Sequence, residues 1–310
     1  MTNSSKSFRL PAALVIGAVL LVAAALLLGS GGLDYQLIRQ LRLPRVLAAA
    51  GVGALLALSG FAMQVLLRNP LADPDVLGTS GGASVGSLLA LLTGVTLWIG
   101  AAGGALAAGA LLLILSRTAL LSGDDASPRL ILTGAMLASV FGAFATLLLT
   151  ITPDERLRGA LFWLVGDLSG ARHGEACLIG AAVFVALLLM RHRSIDRMLL
   201  GSEAASLLGE PVRRLRFELL IGASLAAGAA VATAGAIGFV GLVVPQLLRF
   251  AGEQRTSHLA WMSPVGGAAL LVAADLVSRM VAAPLELPVG AVMALIGAPL
   301  FIVFMSRSAR

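Results

Sequence analysis

The sequence predicts an all-α polytopic membrane protein of about ten transmembrane helices. Three observations carry this. Of 310 residues, 58% are hydrophobic and only 12% are charged, whereas a water-soluble chain carries roughly 25% charged residues. Eight stretches are free of Asp, Glu, Lys and Arg, most of them long enough for a span of roughly 20 apolar residues. Two of the eight are too long for one crossing, and both contain glycine-rich breaks.

The elements follow in order. Residues 10–33 lie behind Lys6 and Arg9 and have the shape of a secretory signal; with no clear small-residue cleavage site and further apolar runs behind them, they read as an uncleaved first span. Residues 46–67 form the second. Residues 76–116 divide around Gly94 to Gly104 into spans three and four, joined by a tight turn. Residues 130–153 and 176–190 are spans five and six. Residues 219–248 are interrupted by Gly235, Gly238, Gly241 and Pro245, giving a full seventh span and a short, broken eighth. Residues 256–274 and 287–306 complete the set. No polar stretch reaches the ~50 residues that an independent core needs, so residues 1–310 read as one transmembrane domain, with an inner loop at about 192–217.

An even number of spans puts both termini on one side. With the amino terminus inside, 15 of the 22 Lys and Arg residues fall on inner segments and 7 on outer ones, which makes both termini cytoplasmic. The net charge of +6 therefore reflects membrane orientation rather than nucleic-acid binding. Cys177, the single cysteine, sits in an apolar run and reads as a small buried hydrophobe. A shift of 175 residues superposes Gly53 on Gly228, Ala57 on Ala232, Gly60 on Gly235 and Pro70 on Pro245. This pairs span two with span seven as an inverted repeat, an arrangement typical of transporters. Glycine pairs such as Gly103-Gly104 and Gly266-Gly267 suit close helix packing in lipid.

Three segments carry functional information. Between spans two and three, Asn69, Pro70, Leu71, Asp73, Pro74 and Asp75 form a turn in which prolines stop and restart helices and polar side chains cap them. Between spans six and seven, Glu203 to Leu208 reads as a short amphipathic helix ended by Gly209 and Pro211 and followed by Arg213, Arg214 and Arg216. A helix so short is unstable alone, so it either docks on a partner or lies at the lipid interface. The third segment runs from Gly235 through Pro245-Gln246 and Asp275 to Arg279, then Glu286, Pro288, Gly290 and Gly297-Ala298-Pro299.

These blocks, together with Leu41-Arg42-Leu43-Pro44-Arg45, resemble the FecCD-type permease subunits of ABC importers for iron-siderophores, haem and vitamin B12, from about Leu41 to the carboxyl end. Pro245-Gln246 departs from the family's usual Pro-His pair. The resemblance implies a type II ABC importer permease fold, with a second permease copy, a separate ATP-binding ABC subunit and a periplasmic substrate-binding protein, in the cell inner membrane. It implies docking of the binding protein on Arg42, Arg45 and Arg279. It implies coupling to the ATPase through Leu200, Gly201, Glu203, Ala204, Leu207, Leu208 and Gly209, and a translocation path along spans five and ten. Asn69, Leu71 and Ser127, at the inner ends of spans two and five, are the expected cytoplasmic gate.

The chain itself is expected to bind no cofactor and to be no enzyme. A P-loop needs a lysine, and Lys6 is the only one, outside any such pattern, so ATP is left to a partner. An ion-coupled secondary transporter is the alternative, but it would need intramembrane carboxylates, and only Asp275 qualifies; Arg279, four residues on, makes it an ion-pair partner. An intramembrane hydrolase finds no support: there is no HExxH, and His173, His192 and His258 all fall in loops or at span ends.

Overall fold

A computed structural model describes residues 4–29, 34–117, 126–171, 173–283 and 285–308, all of them helix, turn or loop. Twelve helices organise these residues. Helix α1 is Ser4–Leu27. A one-turn helix, Tyr35–Leu37, and a π turn, Ile38–Arg42, run directly into α2, Leu43–Leu66. A 3₁₀ turn at Pro74–Leu77 leads to α3, Thr79–Thr93, and then to α4, Leu97–Leu115. Helix α5 is Ala126–Thr150, α6 Asp154–Val165, α7 Gly174–Leu199 and α8 Ser202–Leu207. Helix α9 is Val212–Ala234, α10 Val240–Phe250, α11 Thr256–Met280 and α12 Val289–Ser308.

Ten of these coincide with the expected spans, with three corrections. The break between spans three and four is confined to Gly94–Thr96, and Gly100, Gly103 and Gly104 are helical. Gly100 and Gly104 stay in the helix because they let α3 and α4 touch: a Cβ on Gly104 would stand 2.1 Å from the Gly82 carbonyl oxygen. Span six extends to Leu199, since Arg191, Arg193 and Arg197 continue the helix beyond its apolar part. Residues 154–165, expected as loop, form α6, which opens with Asp154 and Glu155 in its first turn, where carboxylates favour a helix amino terminus.

Helix α2 is the centre of the fold: its most apolar window is 94% buried, and α7, α9, α10 and α11 surround it. Lipid supplies no hydrophobic drive for helices to associate, so dispersion contacts between small residues must do it. A Cβ on Gly53 would lie 2.2 Å from the Gly267 carbonyl oxygen of α11, and one on Gly60 would lie 2.0 Å from that of Gly241 on α10. The two members of the expected repeat pack side by side, with Ser59 Oγ of α2 donating to the Ala223 carbonyl of α9 at 2.8 Å. Cys177 is buried, its sulfur 3.2 Å from Thr233 Oγ1.

By contrast, α1 and α5 leave large apolar side chains uncovered. Leu132, Met136, Val140, Phe144, Leu147 and Ile151, at helical spacing on and just beyond α5, are all exposed. The two ends of the bundle are distinguished as the α6 end and the α8 end.

Candidate functional site

At the α6 end an ionic cluster joins four parts of the chain. The π turn ends at Arg42, two residues before Pro44, which has no N–H to donate; with the first turn of α2 it sets Arg42 and Arg45 on one side at a spacing of three. Arg45 holds two carboxylates at once: its Nε donates to Asp275 Oδ1 at 2.7 Å and its Nη1 to Glu286 Oε2 at 2.7 Å. The second Asp275 oxygen lies 3.1 Å from Arg279 Nε, an ion pair not aligned as a hydrogen bond. Arg42 Nη1 donates to the carbonyls of Leu26 and Leu27, and Arg279 Nη2 to that of Ala25. The unpaired carbonyls ending α1 are thus capped by arginines from two other elements.

The resemblance implies a docking role for Arg42, Arg45 and Arg279. The structure brings the three together, but none stands free at the surface: Arg42 and Arg45 are buried, and the Arg279 side chain is 9% exposed. The reason is Asp275, whose side chain is fully buried and needs counter-charge. The i,i+4 pair with Arg279 was legible in sequence. The pair with Arg45, 230 residues away, was not.

Beside the cluster opens a cavity of about 1270 Å³, lined by Trp98, Phe162, Trp163, Arg158, His173 and Glu286 among others. The Trp98 and His173 rings sit 5.1 Å apart. Sequence order does not reveal it, because its walls come from α3, α4, α6, α9 and the loops before α7 and α12.

The α8 end carries the remaining predicted residues. Helix α8 starts one residue earlier than expected, at Ser202, after Gly201 (φ 122°), and it stops before Gly209 (φ 78°); both glycines hold backbone angles that side chains resist. Ala205 faces inward and is fully buried, whereas Leu200, Leu207 and Leu208 are 70%, 89% and 58% exposed. Glu203 is exposed and Ala204 is half-buried. The loop after α8 is anchored by Glu210, which pairs with Arg197 of α7. The Ser194 hydroxyl and the Arg197 guanidinium hold the Glu210 carboxyl below its usual range.

Ser202 is a functional candidate that sequence reading missed. Its Oγ accepts from Arg68 Nη2 at 2.5 Å and from Arg216 Nη2 of α9 at 2.6 Å. Arg68 takes a left-handed backbone (φ 46°) immediately before the expected gate turn. In that turn Asn69 Oδ1 accepts from the Leu71 N–H at 2.9 Å, and Leu71 is 41% exposed. Gln246 of α10, at the departure from Pro-His, donates its side-chain amide to the Pro70 carbonyl. The turn is therefore held from α8 on one side and from α10 on the other. Ser127 falls in the first turn of α5, and its side chain lies outside the described residues.

The turn continues into a carboxylate pair. Asp73 Oδ1 accepts from the Asp75 N–H at 2.9 Å, and Ser80 Oγ donates to Asp75. Burial and the nearby Asp75 charge push the Asp73 carboxyl up to about 7. Burial also raises Asp75, against the hydrogen bond from Ser80.

Comparison with known proteins agrees with this architecture. Residues 25–307 match the model of the FecCD transport family. The vitamin B12 import system permease protein BtuC of Vibrio cholerae is 40% identical over 283 residues, which cover 89% of this chain and 84% of that protein. The ABC transporter permease protein YvrB of Bacillus subtilis is 40% identical over 286 residues, 89% of this chain and 80% of its own length. A solved structure described as an inward-facing, metal-chelate-type ABC transporter superposes with a TM-score of 0.87 at 30% identity, over 96% of this chain and 99% of that one. PsaBC from Streptococcus pneumoniae shares the fold, with a TM-score of 0.60 at 14% identity over 92% and 94% of the two chains. With the family model spanning nearly the whole chain and relatives near 40% identity, the chain belongs to the FecCD transport family, as a permease subunit of an ABC importer.

Proposed function

We propose that this permease carries a cobalamin or an iron chelate, siderophore or haem, across the cell inner membrane. In this reading the α8 end and both termini are cytoplasmic, the α6 end meets a periplasmic binding protein, and two copies enclose the path. The uncovered apolar face of α5 supports pairing or lining of a path by that helix, because a single chain leaves it without a protein partner. Vitamin B12 is favoured among the substrates by the names of the relatives near 40% identity.

The observation that carries the coupling half of this proposal is the exposure of Leu200, Leu207 and Leu208 around a helix fixed by Ser202 and Glu210. A short helix presenting leucines from a rigid base fits a hydrophobic groove on the ATPase. Closure of the ATPase pair then moves α8, and the link from Ser202 through Arg68 reaches the Asn69–Leu71 turn, which acts with the start of α5 at Ser127 as the cytoplasmic gate. At the other end, the three arginines and two carboxylates of the cluster sum to one net positive charge, which attracts an acidic partner surface.

The test is reconstitution with the ATPase and binding protein in proteoliposomes, assayed with cyanocobalamin, ferric hydroxamates and haem. Uptake that requires ATP and one of these ligands supports the proposal. Uptake driven by a proton gradient without ATP would instead establish the ion-coupled alternative. Leu207→Glu should abolish ATPase association while the permease remains folded; retained association would exclude docking through α8.

A further inference from the structure

We infer that Glu286 is an internal stand-in for a partner's carboxylate: it occupies the open edge of the arginine cluster and is displaced when an acidic protein surface docks, which frees the loop leading into α12. The inference rests on the docking reading above.

The asymmetry of the two acids on Arg45 is the starting point. Both sit at 2.7 Å, yet the Asp275 side chain is 0% exposed and the Glu286 side chain 46% exposed. Asp275 lies within α11, is flanked by Arg45 and Arg279, and cannot leave without stranding two buried guanidiniums. Glu286 lies on a loop, reaches the cluster through one guanidinium nitrogen, and can turn into water. A carboxylate that keeps this much contact with water gives up less on leaving a buried guanidinium than a fully buried one does, and exchanges more readily. With Glu286 bound, the cluster carries one net positive charge; with Glu286 released it carries two, and Nη1 of Arg45 becomes available to another carboxylate. A partner's acid therefore competes for the same nitrogen.

The consequence of exchange follows from the loop's other anchors. Leu287 N–H donates to the Ser278 carbonyl at 3.2 Å, and Gly290 N–H to that of Gly166 at 3.2 Å. At Gly290 the approach is tight enough that a Cβ would lie 1.7 Å from the Val165 carbonyl oxygen. Main-chain contacts thus fix the start of α12 against the end of α6, while Glu286 is the side-chain clasp between them and α2. Glu286 and Leu285 also line the 1270 Å³ cavity. Docking would thereby alter the cavity wall and the lead into α12 in one step.

The probe is the substrate-binding protein of the same organism, titrated against the permease–ATPase complex in lipid nanodiscs. Glu286→Asp is the decisive variant: it keeps the charge but is one methylene too short to hold Arg45. It should bind the partner roughly fivefold or more tighter than the parent, the size expected from removing a competing ion pair. Glu286→Gln should tighten it further. Nitroxides on Leu285→Cys and Thr96→Cys should report a shifted distance when the parent docks, and Glu286→Asp should show that shift without partner. Unchanged or weaker binding by Glu286→Asp, or an unchanged distance, overturns the inference. The docking reading is tested separately: affinity in the parent should fall as salt rises, and a flat salt response would overturn that reading itself.

Discussion

Arg68, in the turn after α2, donates to Ser202, the first residue of α8, at 2.5 Å across 134 residues of sequence. Arg216 of α9 donates to the same hydroxyl at 2.6 Å. Helix α8 and the chain just before the Asn69–Leu71 turn are thus joined through the Ser202 hydroxyl, which under the proposed function links the coupling helix to the gate.

Ser202→Ala removes that acceptor and leaves the exposed leucines of α8 untouched. Hydrogen bonds from charged donors contribute about 1.5–3 kcal/mol. The ATPase should still associate, while ATP-driven uptake drops roughly tenfold, in line with losing about 1.4 kcal/mol of coupling. Co-purification and uptake measured on the same preparation separate the two; parallel loss of both would assign Ser202 to assembly instead.

Asp275→Asn should be the most damaging single change at the α6 end. It leaves Arg45 and Arg279 buried without their shared counter-charge, at a cost of about 3–5 kcal/mol. Glu286→Gln, at an exposed acid, should cost under about 1 kcal/mol. Thermal unfolding in detergent should show a large drop in Tm for the first and a small one for the second.

The Asn69–Leu71 turn and its continuation through Asp73 should loosen with rising pH. Burial raises the Asp73 carboxyl to about 7, so the folded turn holds that proton more tightly than an unfolded chain does. The resulting stabilisation is complete below about pH 4, the ordinary carboxylate value. It declines as the pH rises and is gone above about 7. Amide exchange at Asp75 and Gly78, corrected for its intrinsic pH dependence, should accelerate over that window. Asp73→Asn, whose side-chain oxygen can still accept from the Asp75 N–H, should flatten the profile.

Gln246→His should be tolerated, because an imidazole N–H can replace the amide that donates to the Pro70 carbonyl. Gln246→Leu leaves that carbonyl without its donor and should lower uptake several-fold at normal expression. Equal uptake by parent and Leu variant would show that the bond does not steady the gate turn.

Several of these residues were visible in sequence as types and positions only. The prolines and aspartates around Asn69 marked a capped turn, and Glu203 to Leu208 marked a helix, because local rules of capping and helix termination suffice there. The spacing of Asp275 and Arg279 likewise needed only one helix face. Arg45 was expected to meet a partner's carboxylates, since nothing nearby in sequence could neutralise it. Ser202 fell one residue outside the expected helix, and α6 read as a loop, because a short charged helix has no span-length apolar run.

The sequence by itself determined the apolar, all-helical character of the chain, ten helical segments, the positions of most breaks and the family, all of which depend on composition, on local periodicity or on motifs contiguous along the chain. Only the tertiary structure decided which charges meet. Arg45 finds Asp275 and Glu286, and Arg68 and Arg216 find Ser202, because small residues such as Gly53 and Gly267 let the helices of a bundle approach until distant side chains share one buried site. A buried charge must be satisfied by whatever the fold places beside it, and sequence order carries no record of that neighbour.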